Sequence, residues 1–191
     1  MRKVIRVGLD FDGVVTYHPM RVARVLIAFI KHKILKIKKL GFFVPQNKWQ
    51  KMLFRIVVVW PSVLPANGVK LLKLMSKSSK YEFYLVTGRF GFVKDDTYQW
   101  LKRWGLSKTF KNVCINEKND QPHNFKLKMC QKFKFDYYIE DNWDIVNSLN
   151  GKTRTKLFWI YNILDRGRKY SFKFPYLKLA LEQIKRDENI I

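Results

Sequence analysis

Apolar strand-like runs and helix-periodic segments alternate along most of this chain, and that alternation restricts its fold more than any other feature. Strand patterns fall near 3–10, 81–86, 112–116, 136–140 and 156–161, and helical patterns near 67–77, 93–104, 125–134, 142–149 and 176–187. Such an order predicts an α/β domain with a parallel sheet covered by helices on both faces. The 191 residues suit one ordinary domain, interrupted by an insert from about 17 to 65.

Four strand or helix ends carry groups that can do chemistry. The first, Val7-Gly8-Leu9, delivers Asp10 and Asp12 to a turn at Gly13. Alternate strand residues share a side, so the two carboxylates start together. Such a pair can hold a hard cation while one carboxylate attacks, although Asp-x-Asp also occurs as a plain polar strand end or turn. The run Tyr81 to Val86 stops at Thr87-Gly88-Arg89, Lys126 opens an amphipathic helix carrying Leu127, Cys130 and Phe133, and Tyr137-Tyr138-Ile139 ends in Glu140-Asp141-Asn142. In open α/β sheets, ligands bind outside the carboxyl ends of the strands, where these groups would converge.

Asp10-Phe11-Asp12-Gly13, Thr87, Lys126 and Glu140-Asp141, in that order and each beside the expected element, resemble the four motifs of the haloacid dehalogenase (HAD) superfamily of phosphohydrolases. The resemblance covers the chain except about Tyr17 to Pro65. It implies a Rossmann-like core over 1–16 and 66–191, with a small, mostly helical cap inserted at 17–65 that closes over the site and selects the substrate. It also implies that Asp10 is the nucleophile and Asp12 the acid/base, with Thr87, Gly88 and Lys126 holding the phosphoryl oxygens. Mg²⁺ would be held by the Asp10 carboxylate, the Asp12 main-chain carbonyl and Asp141, with Glu140 acting directly or through water. The family often has Asp-Asp where this chain has Glu140-Asp141, which leaves open which carboxylate touches the metal.

That chemistry explains the residue types. A phosphate monoester repels a carboxylate, so attack needs a dication bridging the two, and Mg²⁺ takes oxygen ligands from one or two carboxylates plus the phosphate. The reading is a Mg²⁺-dependent phosphatase for a small phosphomonoester, such as a nucleotide or sugar phosphate, working through an aspartyl-phosphate; the layout is loosely nucleotidase-like. A phosphotransferase or a polynucleotide 3′-phosphatase belongs to the same class. The alternative is a HAD-like module that docks on nucleic acid or an anionic membrane through its cap, with catalysis secondary or absent.

The insert is charged in one sense only. From Gly13 through Tyr81 there is no Asp or Glu, while fourteen Lys or Arg residues supply more than half of the net charge of +23. Val22, Val25, Leu26, Phe29 and Ile30 recur at helical spacing, continued by Ile34 and Ile37, which predicts a basic amphipathic helix. A second apolar stretch, Met52 to Trp60, reads as a helix or a buried strand. The basic face admits three readings: a solvated cap, attraction to anionic lipid, or attraction to nucleic acid or a polyanionic substrate.

Other candidates weaken. His18, His32 and His123 are too scattered for a zinc site, though His18 is close enough to the first motif to border a substrate pocket. Gly88-Arg89-Phe90-Gly91 lacks the dinucleotide fingerprint, and Arg89 either assists phosphate binding or pairs with a carboxylate. Trp100 and Trp104, at i and i+4, read as core, and Asp95-Asp96 as the first turn of a helix. Cys114 and Cys130 read as buried thiols in a reducing compartment. With no signal-peptide pattern and no apolar run long enough to span a bilayer, the expected location is cytoplasmic, with peripheral membrane attachment as the variant that the basic cap suggests.

Overall fold

The structure, a computed structural model, describes residues 4–19 and 42–189. Six parallel strands form one sheet in the order β3-β2-β1-β4-β5-β6. They are β1 (Ile5–Leu9), β2 (Tyr81–Phe90), β3 (Asn112–Asn116), β4 (Tyr137–Glu140), β5 (Lys156–Ile160) and β6 (Lys173–Phe174). The helices among the described residues are α1 (Lys48–Phe54), α2 (Val69–Met75), α3 (Lys94–Arg103), α4 (Pro122–Phe133), α5 (Trp143–Leu149) and α6 (Leu177–Asp187).

Strand alternation divides the core into two layers. Phe83, Leu85, Ile139, Phe158 and Ile160 face one layer with Leu72 of α2, Leu101 of α3 and Leu181 of α6. Tyr84, Val86, Tyr138, Leu157 and Trp159 face the other with Phe125 and Cys130 of α4 and Val146 of α5. Both sheet faces are thereby buried, which is why the strands read as near-continuous apolar runs. The chain winds outward from β1 to β3 and then restarts at β4 on the other side of β1. That reversal leaves a crevice between the ends of β1 and β4, the usual ligand position in such sheets.

Two elements depart from the sequence expectation. β2 does not stop at Val86 but runs to Phe90, with a register slip between Thr87 and Phe90. β6 is only two residues long and had no pattern of its own.

Residues 20–41, including the predicted basic amphipathic helix from Val22 to Ile37, lie outside the described residues. The second apolar stretch is helical: α1 is capped by Asn47, whose side chain and Gln50 form a reciprocal capping box, and it continues as a π-helical turn over Arg55–Val59. The two ends of the insert meet, since the Tyr17 N–H donates to Leu64 O at 2.8 Å and the Ala66 N–H to Val15 O at 2.9 Å. Trp100 and Trp104 each donate an indole N–H to Val63 O, at 3.1 and 3.0 Å. Asp96, in the first turn of α3, takes two hydrogen bonds from Arg55 at 2.7 and 2.8 Å. No helix among the described residues is long and apolar enough to cross a membrane.

Candidate active site

The β1 and β4 ends bring four of the sequence-predicted residues into one buried cluster. Lys126 extends from α4 and places its ammonium 2.9 Å from Asp10 and 2.7 Å from Glu140. Glu140 also accepts from the Tyr138 hydroxyl at 3.3 Å and from the Asn142 N–H at 3.1 Å, so both its oxygens are engaged. Asp141 follows at the strand end, its carbonyl accepting the Trp159 indole N–H at 3.1 Å. Asp10, Glu140 and Asp141 each offer an oxygen within 4.8 Å of the others.

Three carboxylates gather in one buried site, and the Lys126 ammonium bonds two of them, Asp10 and Glu140. Burial first, then Glu140, push the Asp10 carboxyl well above the usual aspartate range, and Lys126 only partly offsets them. For Lys126 burial opposes the charge, and Asp10 and Glu140 overcome it, holding the ammonium above its ordinary value. An all-oxygen donor set of three buried carboxylates fits a hard dication such as Mg²⁺.

Asp12 leads elsewhere. β1 ends at Leu9 and Gly13 takes φ +86°, so the chain turns before strand alternation can keep Asp12 beside Asp10. Its carboxylate receives Arg89 Nη2 at 2.7 Å and Nε at 2.8 Å, and the Ser62 hydroxyl at 2.8 Å. Burial alone would raise its pKa; the Arg89 guanidinium, with smaller help from His18 and Ser62, holds it down at about 2. Arg89 is itself buried, lies 4.6 Å over the Phe11 ring, and reaches Val58 O at 3.4 Å.

Thr87 is fully buried, and its hydroxyl oxygen accepts the Arg89 N–H at 3.1 Å. Gly88 lies against α4: a Cβ there would sit 3.0 Å from Pro122 Cβ and 3.8 Å from Lys126 Cε. A side chain at Gly88 would therefore crowd Pro122 at the start of α4, while its Cβ would only come into ordinary contact with Lys126. His18 is buried and bonded to Val58 O at 3.1 Å. It also lines a cleft of about 320 Å³ with Tyr17, Tyr161, Asn162, Ile163 and Arg166, at the carboxyl edge of the sheet. His123 stands apart, on α4 beside Phe42.

No protein-family model matches the sequence, and no curated protein matches it either. Solved structures do resemble the fold. β-Phosphoglucomutase from Clostridium difficile superposes with a TM-score of 0.58 at 16% identity, over 98% of this chain and 98% of that one. The magnesium-bound HAD-hydrolase YfnB from Bacillus subtilis gives 0.57 at 13% identity, over 98% and 99%. A subfamily IA HAD-superfamily hydrolase from Geobacter sulfurreducens gives 0.53 at 13%, over 95% and 100%. The chain has the haloacid dehalogenase fold.

Within this HAD fold, sequence reasoning missed two site contacts and left a third open. Of the two roles the sequence allowed Arg89, the structure shows the pairing with a carboxylate, that of Asp12. Ser62 lies in the insert and is brought to Asp12 only by tertiary folding. Tyr138 read as core, and its ring is core, but its hydroxyl reaches Glu140. Cys130 is buried and Cys114 half-buried; burial pushes their thiols up to about 12 and about 11, which leaves both inert.

Proposed function

We propose that this protein is a Mg²⁺-dependent phosphatase of the HAD type, hydrolysing a small phosphomonoester. The observation that carries this is the buried cluster of three carboxylates, Asp10, Glu140 and Asp141, each with an oxygen within 4.8 Å of the others, with Lys126 bonded to Asp10 and Glu140. Asp10, Asp141 and the Asp12 main-chain carbonyl, with Glu140 directly or through water, would hold Mg²⁺, whose charge lets an anionic carboxylate approach an anionic phosphoryl group.

Asp10 attacks phosphorus, the bond to the ester oxygen breaks, and an aspartyl-phosphate forms. Lys126, held at 2.9 Å, fixes the attacking carboxylate and offers its charge to the transferring group. Thr87 takes the Arg89 N–H on its oxygen, which leaves its own hydroxyl hydrogen for a phosphoryl oxygen. Water then cleaves the aspartyl-phosphate, its proton going to Asp12. While Arg89 holds it at about 2, Asp12 is a weak base with no proton to give. For the acid/base role the Arg89 pairing must give way as substrate arrives, so that burial raises Asp12 and it takes a proton from solvent, gives it to the leaving oxygen and regains one from the attacking water. The cleft lined by Tyr17, His18, Tyr161, Asn162 and Arg166 receives the leaving group, and its mixed aromatic and polar lining suits a nucleoside or sugar.

The test is hydrolysis of p-nitrophenyl phosphate with and without Mg²⁺, for the native chain and Asp10→Asn. Turnover that needs Mg²⁺ and disappears in the variant is expected. Equal rates in the two proteins would overturn the role of Asp10, and a panel of phosphorylated nucleosides and sugars then defines the leaving group.

A further inference from the structure

The helix of the insert is inside out. On α1 and its π-helical continuation, the apolar residues Trp49, Met52, Leu53, Ile56, Val57 and Trp60 recur at i, i+3, i+4, i+7, i+8 and i+11, and all six are exposed. Trp49, Leu53 and Trp60 are the most open, at 76%, 61% and 66%. The opposite side of the same helix makes the contacts with the core: Phe54 packs on Phe90 and Phe92, Arg55 pairs with Asp96, and Val58 O meets His18, Ser62 and Arg89. A stripe with this period normally faces a core. Here it faces away from one, and no described residue covers it.

We propose that this stripe docks the protein on an anionic lipid bilayer, with α1 lying in the plane of the interface. Two observations select this occupant. The stripe carries a tryptophan at each end, roughly 16 Å apart along the axis, with four aliphatic or thioether residues between them. That arrangement suits an interface where indole N–H groups stay hydrated while the middle enters the acyl region. The insert is acid-free and basic in sequence: no Asp or Glu occurs from Gly13 through Tyr81 among fourteen Lys or Arg residues, Lys48 is exposed on α1, and Lys51 lies over the Phe92 ring on the core side. Basic charge beside an exposed apolar face is the pairing that anionic headgroups and acyl chains attract together.

The other occupants fit less well. Nucleic acid would engage the cations and stack on aromatic rings, but it offers no apolar surface to Met52, Leu53, Ile56 and Val57. A second copy would bring a second chain of net charge +23 against this one.

Flotation of the full chain on a density gradient, without substrate, tests this separately from the phosphatase reading. Vesicles of mixed phosphatidylglycerol and phosphatidylcholine should carry the protein at physiological ionic strength, and phosphatidylcholine vesicles should not. Leu53→Ser with Val57→Ser should lower the bound fraction about tenfold or more and leave the unfolding midpoint unchanged. If that variant unfolds, Trp49→Ser with Trp60→Ser takes its place. Flotation that the stripe variants leave intact would overturn the proposal, because charge alone would then account for binding. Absence of flotation would overturn it too, in favour of RNA if salt-sensitive RNA binding appears. A dimer in light scattering that the variants abolish would point to a second copy, and variants that only lower the midpoint would point to segment 20–41.

Discussion

Arg89→Met should destabilise this protein more than any surface change, because it strands a buried carboxylate. Asp12 and Arg89 are both buried, and the guanidinium contacts both carboxylate oxygens, at 2.7 and 2.8 Å. Holding Asp12 at about 2, against an ordinary 3.8, represents roughly 2 kcal/mol of net stabilisation at neutral pH after its burial cost. Without Arg89 that burial cost stands nearly alone, opposed by Ser62 and His18, and the loss should reach about 3–5 kcal/mol. Asp12→Asn added to Arg89→Met removes the stranded charge and should recover about half of the loss or more. Urea unfolding followed by tryptophan fluorescence measures both. The pH dependence gives an independent reading. The folded value lies below the unfolded one, so the unfolded chain binds more protons between about 2 and 3.8. Stability should be fully present above that window and lost as pH falls through it, and Arg89→Met should erase this share of the acid limb. An Arg89→Met protein within about 1 kcal/mol of the native one, with its acid limb unchanged, would refute the reasoning.

Mg²⁺ should raise the thermal midpoint, and more so at neutral pH than at mildly acidic pH. Asp10 has a raised pKa, so as pH climbs past the ordinary aspartate range its ionisation destabilises the folded state until a cation balances it; a midpoint indifferent to Mg²⁺ would contradict a cation site at this carboxylate cluster. Lys126→Met should cost about 3–5 kcal/mol in chelator, with part returned by Mg²⁺, as read by urea unfolding with and without the cation. Gly88→Val should cost about 1–3 kcal/mol through overlap with Pro122 and should cut phosphatase turnover by displacing α4, the helix that carries Lys126. Cys114 and Cys130 should resist a thiol reagent in the native protein and react fully only in guanidinium chloride.

Most of the fold was legible because each strand is buried on both faces and each covering helix on one. Ten elements read from period alone appear within a few residues of their expected ends. The failures have local causes. Thr87-Gly88-Arg89 reads as a stop, yet the chain stays extended through a register slip because Gly88 lets α4 pack against it. β6 is two residues joined to the edge of β5, too short for any alternation to register. The stretch from Met52 to Trp60 was ambiguous because a helix with an exposed apolar face and a buried strand share the same composition.

The site was legible in membership and illegible in partnership. Asp10, Lys126, Glu140 and Asp141 announce themselves because each sits where a strand or helix meets the carboxyl edge, and topology alone gathers such positions. Which carboxylate meets which cation is another matter. Asp10 and Asp12 are two residues apart, so strand alternation predicts one shared side; β1 ends a residue before Asp10, and the turn at Gly13 sends them to different cations. Two cations of different character then treat the two carboxylates differently. A single ammonium shared with Glu140 leaves Asp10 short of positive charge and receptive to a dication. A bidentate guanidinium with a hydroxyl leaves Asp12 oversupplied, ionised and held aside. Val58, within the π-helical turn, and Ser62, just beyond it, touch that second pair. Any displacement of α1 therefore acts first on the Asp12 pairing, and only through it on the cluster around Asp10.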